Sequence, residues 1–451
     1  MPTPNRREFL ATAAGLASPR PSRPPNIVLV LLDDLGSGDL GCYGQKHIRT
    51  PNIDRVAAEG QRFTDCYAGG AVCAPSRSVL MTGLHTGHTP IRANAGTVPL
   101  AAQDVILPQV LKPGGYATGA FGKWALGDAG SAGVPWRHGM DHFFGYLHQT
   151  HAHTYYPDFL WDNHRKHLLP GNRDGQGNQY SADLIAERSF EFIRQHRDRP
   201  FFLYACYTLP HARFEIPSVA PYQNEPWPQG HKTYAAMVTR ADGYVGRILD
   251  LLTEFGLERD TLVFISSDNG AHEGEQKGYE FFRSNGALHG QKGQLYEGGI
   301  RAPMIVRWPG RVMAGATSSY PWAFCDFLPT AAELAGVKAP GGLDGLSVVP
   351  VLTGQREPQR EFLYWEHNLW NQKARGLRPG RMWQAVRMGD WKAVRTKPGA
   401  PLELYHLRPD PGETTDVAAQ NPSVVARIEA YLKTARTQPR PHDNGSSQWV
   451  T

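Results

Sequence analysis

Short apolar runs that end in polar residues recur along the chain. Runs of this length and composition are typical of buried parallel strands. Five of them stand out: residues 26–32, 116–121, 201–207, 261–265 and 303–306. All but the last lead into residues that can do chemistry, which are Asp33-Asp34, Lys123, His211 and Asp268-Asn269.

Between the apolar runs lie segments with helical periodicity. In residues 181–196 and 234–255 the apolar positions recur at steps of three and four. Strands that alternate with helices predict a mostly parallel sheet covered by helices on both faces. In such sheets ligands bind beyond the carboxyl ends of the strands, where the polar residues listed above would meet.

The pattern changes after about residue 340. Short alternating stretches with turns contain Trp365, Trp383, Trp391 and Tyr405, and an amphipathic helical segment covers residues 423–435. These features predict a small antiparallel sheet with a terminal helix. Because 451 residues exceed what one core usually organises, we expect a large domain at 25–340 and a smaller C-terminal subdomain at 341–451, with the Pro- and Gly-rich residues 338–350 as the seam.

The N-terminal segment indicates export. Residues 5–10 read NRREFL and are followed by small apolar residues, which resembles a twin-arginine signal and predicts a leader over 1–24; a basic tail is the alternative. We therefore expect a periplasmic or extracellular protein. The leader holds four arginines against one acid, so its removal would lower the formal charge from +5 to about +2.

Charge and hydropathy argue against nucleic acid binding and against a membrane span. A charge of about +2 without a clustered basic face gives no reason to expect nucleic acid binding. No apolar run approaches the roughly 20 residues that a membrane span needs. The five cysteines, Cys42, Cys66, Cys73, Cys206 and Cys325, form neither a CxxC pair nor a zinc-ligand pattern. Their odd number means that an exported protein either leaves one thiol free or uses it in chemistry.

Two acidic pairs suggest a metal site. Asp33-Asp34 and Asp268-Asn269 each follow a predicted strand and together supply four oxygen-bearing side chains. Calcium and magnesium are hard cations that prefer oxygen ligands. One such pair could equally be a helix cap or a turn, but two pairs at strand ends favour a divalent cation.

Residues 73–83, CAPSRSVLMTG, carry the most specific motif. It resembles the signature of the sulfatase family, in which Cys, Pro and Arg at these spacings direct oxidation of the Cys to formylglycine. Pro75 and Ser76 suit the first turn of a helix, which would place residue 73 at a helix N-terminus that favours anions. Further segments match the family in order and spacing: LDDLG at 32–36, GKW at 122–124, Pro210-His211, SDNG at 267–270, HGQKG at 289–293 and EGGIR at 297–301.

The resemblance implies an alkaline-phosphatase-like fold and a set of site residues. The metal, usually calcium with magnesium as the alternative, would be held by Asp33, Asp34, Asp268, Asn269 and the formylglycine at 73. The sulfate would be surrounded by Arg77, Lys123, His211 and Lys292. Maturation would require a formylglycine-generating enzyme as a partner.

The expected chemistry is hydrolysis of a sulfate ester. The metal and the lysines would offset the charge of the sulfate oxygens, which otherwise repel a nucleophile. One hydroxyl of the hydrated formylglycine would attack sulfur, while His211 or Lys292 protonates the departing alcohol. The second hydroxyl would then drive the release of sulfate.

One position departs from the family pattern. The family commonly has His where this chain has Ala125, and that His is thought to help remove a proton during sulfate release. We expect His151 or His153 to replace it or to grip the substrate, because an ordinary imidazole pKa near 6.5 suits a proton acceptor. A surface loop that holds these histidines by chance is the alternative.

Two other functions are compatible with these residues. A phosphatase or phosphodiesterase of the same superfamily would use a similar metal and anion pocket, and a catalytically silent protein that binds sulfated glycans would tolerate Ala125. We favour a sulfatase because of the motif at 73–83. We favour a sulfated carbohydrate as its substrate because of the eleven Trp, the aromatic residues near 155–161 and the export signal.

Overall fold

The structure, a computed structural model, describes residues 23–94, 98–273, 278–371 and 376–440, apart from the side chain of Asp174. All but two residues of the expected leader, and the last eleven residues, lie outside these ranges. The strands of the described part are β1 (Asn26–Leu32), β2 (Gln61–Phe63), β3 (Cys66–Tyr67), β4 (Ala117–Lys123), β5 (His142–Tyr146), β6 (Phe159–Asp162), β7 (Arg165–Leu168), β8 (Phe201–Cys206), β9 (Thr261–Ser267), β10 (Met304–Arg307), β11 (Ala316–Ser318), β12 (Trp322–Ala323), β13 (Leu363–Asn371), β14 (Gly376–Met388), β15 (Trp391–Arg395) and β16 (Glu403–His406).

Helices connect and cover these strands. The α-helices of the described part are α1 (Pro51–Ala58), α2 (Cys73–Thr82), α3 (Leu107–Leu111), α4 (Ser181–His196), α5 (Gln229–Glu254), α6 (Tyr279–Phe282), α7 (Glu297–Ile300), α8 (Phe327–Leu334), α9 (Val349–Leu352) and α10 (Pro422–Leu432). Short 3-10 helices cover Ser37–Asp39, Gly41–Tyr43, Lys112–Gly114, Pro135–Arg137, His151–His153, Pro170–Gly175, Glu258–Asp260 and Phe324–Asp326. None of the helices in the described ranges is long and apolar enough to cross a membrane.

A ten-stranded sheet forms the centre of the large domain, in the order β11-β2-β10-β9-β1-β8-β4-β5-β6-β7. Strands β9, β1, β8, β4 and β5 run parallel to one another. Alternate residues of β1 enter different cores: Ile27 and Leu29 pack with α2, α3 and α8, whereas Val28 and Val30 pack with α1, α4 and α5. The predicted sheet with helices on both faces is thereby confirmed.

The predicted strand at 303–306 is present but runs the other way. β10 pairs antiparallel with β9, with Met304 opposite Ser266. Its carboxyl end therefore lies at the opposite edge of the sheet from those of β1, β4, β8 and β9. This direction explains why it is the one apolar run that leads into no candidate site residue.

A separate four-stranded antiparallel sheet, β13-β14-β15-β16, lies near the C-terminus. Helix α10 covers it through Ile428 and Leu432, which pack against Tyr364, Val386 and Leu404. The predicted small antiparallel sheet with a terminal helix is thus present. α5 begins five residues before the predicted start, because its first turn is polar and so lies outside the apolar pattern.

Candidate active site

The two acidic pairs lie side by side. β1 and β9 are parallel neighbours with Leu32 opposite Ser267, so the residues that follow them meet at one edge of the sheet. The backbone N–H of Asp34 donates to Asp268 Oδ1 at 3.3 Å, and Asn269 Nδ2 donates to Asp34 Oδ1 at 2.7 Å. Asp33, Asp34, Asp268 and Asn269 are all buried.

Cys73 is the first residue of α2 and points toward this edge. Its Sγ donates to Asp33 Oδ1 at 3.5 Å, and burial raises the pKa of the thiol to about 12 against the opposing effect of Lys123. An unmodified Cys73 in this setting is a neutral thiol. The start of the helix is held by Asn94, whose Oδ1 accepts the N–H of Ala74 at 2.9 Å, a contact between separated residues that the sequence alone did not indicate.

Arg77 lies one helical turn after Cys73 and therefore faces the same way. Its Nε and Nη2 donate to Asp268 Oδ2 at 3.0 and 2.8 Å, and Nη2 is 3.4 Å from Asp33 Oδ2. Its Nη1 donates to the carbonyl oxygen of Lys123 at 2.6 Å. The fully buried guanidinium thus joins β1, β4 and β9 at the site.

Two lysines pair with the other carboxylates. Lys123, the last residue of β4, places Nζ 2.7 Å from Asp33 Oδ2, and Lys292 places Nζ 2.6 Å from Asp34 Oδ2. Burial lowers the pKa of each ammonium, but Asp33 and Asp34 respectively outweigh it and raise both values. The three cations Arg77, Lys123 and Lys292 therefore match the three carboxylates in number.

His211 completes the group beside Lys292. Its Nε2 lies 3.3 Å from Lys292 Nζ and 3.4 Å from Asp34 Oδ2, while its Nδ1 contacts the carbonyl oxygen of Ala212. A carbonyl oxygen can only accept, so the proton of the neutral ring lies on Nδ1 and Nε2 accepts from Lys292. Burial lowers the pKa of His211 despite the nearby Asp34.

The site residues could hold a metal ion. Ligand atoms of Asp33, Asp34, Cys73 and His211 all lie within 4.8 Å of one another. Within the described part of the chain, the buried Oδ1 of Asn269 has no hydrogen-bond partner, which is costly unless a ligand occupies it. Burial and the Asp33 carboxylate raise the pKa of Asp268 to about 7, so its charge needs additional compensation.

The structure separates the two candidate histidines. The His153 ring stacks on His211 with 4.6 Å between centroids, and its buried Nε2 has no hydrogen-bond partner among the described residues. The His151 ring packs instead against Tyr146 and Phe159. Burial, with His211 nearby, lowers the pKa of His153 to about 4, below the ordinary value that the sequence prediction assumed.

Ala125 lies in the turn that follows β4. It has a left-handed backbone, with φ of 61°, and its N–H donates to the carbonyl oxygen of Leu147 at 3.1 Å. A methyl group at this position can neither donate nor accept a proton. The neutral imidazole of His153 is thus a candidate to serve the site where Ala125 cannot.

Comparison with known proteins identifies the family. The family model for sulfatases matches residues 25–337, more than half of the chain. The chain belongs to the sulfatase family. A second model, described as "N-sulphoglucosamine sulphohydrolase, C-terminal", matches residues 289–438 of this sulfatase. The chain is therefore a sulfuric ester hydrolase of the alkaline phosphatase superfamily.

Individual relatives agree with this assignment. Human arylsulfatase A is 33% identical, in an alignment that covers 94% of this sulfatase and 89% of the relative. Dog N-acetylgalactosamine-6-sulfatase is 32% identical, with 90% and 84% covered. Among solved structures, Ps i-CgsB in complex with k-i-k-neocarrahexaose is 29% identical with a TM-score of 0.81, and the match covers 93% of this chain and 95% of that one.

Proposed function

We propose that this sulfatase hydrolyses its ester with formylglycine at position 73, formed from Cys73 by a formylglycine-generating enzyme. The observation that carries the proposal is the place of Cys73 Sγ, at the start of α2 and 3.5 Å from Asp33 Oδ1. A neutral thiol would be a poor nucleophile there, whereas a hydrated aldehyde supplies a hydroxyl at the same position. Lys123, Lys292 and Arg77 surround that position with positive charge.

We propose that Asp33, Asp34, Asp268, Asn269 and residue 73 hold one divalent cation, Ca²⁺ in preference to Mg²⁺. Such an ion offsets the charge of the sulfate oxygens and makes a nearby hydroxyl more acidic. Without it, three carboxylates and three cationic side chains balance. A divalent ion adds an excess of two positive charges, which suits a monoanionic sulfate ester and an ionised hydroxyl.

The cationic side chains have separate tasks in this proposal. Arg77 holds Asp268 and Asp33 in place, and Lys123 contacts Asp33 on the side of β4, where it can hold a sulfate oxygen. Lys292 donates to both Asp34 and His211 and therefore carries a proton beside the imidazole. We assign Lys292, with His211 next to it, to protonation of the leaving oxygen.

We assign His153 to the second half of the reaction, as the group that accepts a proton while sulfate is released. The support is its stacking on His211 and its buried, unpartnered Nε2 among the described residues. His151, which contacts Tyr146 and Phe159, is the weaker candidate and would serve to hold the 148–153 segment in place.

The proposed substrate is a sulfated carbohydrate. Relatives with sugar-derived names or ligands support this class, notably the N-acetylgalactosamine-6-sulfatases and the carrahexaose complex. A panel of sulfated saccharides, 4-nitrophenyl sulfate and a steryl sulfate tests it, since mouse steryl-sulfatase is also 29% identical. Faster turnover of the steryl ester than of every saccharide would contradict the proposal.

We also propose that the protein is exported and that the chain is divided into two domains. The twin-arginine-like segment at 5–10 supports removal of residues 1–24 and a periplasmic or extracellular location. The antiparallel sheet and α10 fall within 341–451, which supports that range as a subdomain beside a catalytic domain at 25–340.

One experiment separates sulfate hydrolysis from the alternatives. The protein, co-expressed with a formylglycine-generating enzyme, is assayed with 4-nitrophenyl sulfate and 4-nitrophenyl phosphate, with Cys73→Ala as the control. Turnover of the sulfate that disappears in the variant supports the proposal. Preference for the phosphate, or binding of a sulfated glycan without any turnover, would refute it.

A further inference from the structure

A buried charged cluster joins the C-terminal sheet to the segment that carries Lys292. Lys392 lies on β15 with a fully buried side chain. Its Nζ is 2.8 Å from Glu297 Oε1 and 2.9 Å from Glu413 Oε1. Glu297, the first residue of α7, is also fully buried.

Both carboxylate oxygens of Glu297 and its backbone N–H have close partners. Its Oε2 accepts the hydroxyl of Tyr67 at 2.8 Å and pairs with Arg301 at 3.1 Å. Its backbone N–H donates to Glu413 Oε2 at 2.6 Å. The start of α7 therefore cannot shift unless Lys392, Glu413 or Tyr67 shifts with it.

The turn that carries Lys292 is closed tightly onto α7. The N–H of Gly298 donates to the carbonyl oxygen of His289 at 2.6 Å, and a Cβ at Gly298 would lie 2.1 Å from the carbonyl oxygen of Gly290. The N–H of Lys292 donates to the carbonyl oxygen of Ala271 at 3.1 Å. Such close backbone contacts transmit a displacement of α7 directly to Lys292.

The C-terminal sheet makes a second contact with the same turn. Glu403 on β16 accepts the hydroxyl of Tyr296 at 2.7 Å. The family model that describes a sulphohydrolase C-terminal part matches residues 289–438, so it groups the Lys292 turn with the sheet. These observations agree with a sheet that holds the turn in place.

Stability alone does not account for a buried lysine between two glutamates. Removing charges from water is expensive, and a well-packed apolar trio of similar volume is often as stable or more stable. A charged cluster does, however, define one geometry, because each group must meet its partner. The cluster is thus suited to fixing the position of α7.

We propose that Lys392 is a positioning residue for Lys292, acting through Glu297 and the 289–297 turn from outside the catalytic domain. The inference rests on the proposed role of Lys292 as the group that protonates the leaving oxygen. Its consequence is that the C-terminal sheet contributes to the chemical step without touching the substrate.

The test compares variants of the mature, formylglycine-containing enzyme. Lys392→Met removes the charge and keeps much of the volume, but it leaves Glu413 without its ion-pair partner and Glu297 with Arg301 alone. Lys392→Met with Glu413→Gln also removes the charge of Glu413, so that the Glu297–Arg301 pair stays balanced and the variant is less prone to unfold. Arg395→Met is the matched control, because Arg395 lies on the same strand and pairs with Glu429 of α10. Circular dichroism at the assay temperature confirms folding.

The readout is the dependence of kcat on the leaving group, measured with aryl sulfates of different phenol pKa. Loss of the proton donor makes poor leaving groups disproportionately slow, so Lys292→Ala should steepen this dependence. The Lys392→Met/Glu413→Gln variant should steepen it as well and lower kcat about 100-fold, as expected for a small misplacement of a catalytic group. KM should change little, and Arg395→Met should leave the slope unchanged.

A double-mutant cycle gives the decisive outcome. If Lys392 acts through Lys292, adding Lys392→Met/Glu413→Gln to the Lys292→Ala variant should cause little further loss of kcat. Additive losses, or an unchanged leaving-group slope in the Lys392 variant, would overturn the positioning role. A Lys292→Ala enzyme with normal kcat and slope would instead contradict the proposed role of Lys292 itself.

Discussion

Replacement of Asp268 by asparagine removes one negative charge from the metal set and keeps the shape of the side chain. Asp268 accepts two hydrogen bonds from Arg77, at 3.0 and 2.8 Å. Burial and the neighbouring Asp33 raise its pKa to about 7, so its charge is poorly compensated without a divalent ion. We therefore expect Asp268→Asn to reduce Ca²⁺ binding much more than it reduces folding.

The size of the effect follows from linkage. Loss of a supporting group near a metal weakens binding about 10- to 100-fold, so loss of a charged ligand should cost at least about 100-fold. At a Ca²⁺ concentration of about 100 times the wild-type Kd, the ion stabilises the wild type by about 2.7 kcal/mol. A variant whose Kd equals that concentration gains only about 0.4 kcal/mol.

The assay is urea unfolding of metal-free protein, with and without added Ca²⁺, which yields the free energy of unfolding for each condition. Asp326→Asn is the control, because Asp326 is equally buried and pairs with Arg360 but lies outside the metal set. Asp326→Asn should have a lower free energy of unfolding than the wild type both with and without Ca²⁺, but added Ca²⁺ should stabilise it as much as it stabilises the wild type. If Ca²⁺ also stabilised Asp268→Asn as much as the wild type, the metal assignment would be refuted.

Three further outcomes are expected. Cys73→Ser and Cys73→Ala should have little or no sulfate-ester turnover, and a fully active Cys73→Ala would contradict the proposed nucleophile. His153→Ala should release a burst of alcohol followed by a slow steady state, whereas an unchanged kcat with a raised KM would assign His153 to substrate binding. Burial raises the pKa of Asp39 from 3.8 to about 6. The folded state therefore binds more protons than the unfolded state between these values, so the free energy of unfolding should fall by about 2 kcal/mol from pH 4 to pH 6.5. Asp39→Asn should remove that part of the pH dependence, and an unchanged profile would show that Asp39 is ionised normally.

The parallel strands and the edge at which the site forms could be predicted from sequence. Buried runs that end in Asp33-Asp34 and Asp268-Asn269 must place these pairs together when the strands are parallel neighbours. The direction of β10 could not be predicted, because an apolar run of four residues has the same pattern in either direction.

The sequence alone also could not decide which of His151 and His153 lies at the site. The two residues lie in one 3-10 helix, in which successive side chains are about 120° apart, so they point to different sides. His153 therefore meets His211 while His151 meets Tyr146. No local pattern in the sequence predicts the Lys392–Glu297 ion pair either, since the two residues are far apart in the chain and no periodicity connects them.

Whether residue 73 acts as formylglycine can be read from the mass of the peptide that contains it. The peptide is measured in a preparation whose turnover number is known. We expect an aldehyde to replace the thiol, and turnover to rise in proportion to the modified fraction across preparations. An unmodified thiol throughout a fully active preparation would contradict it.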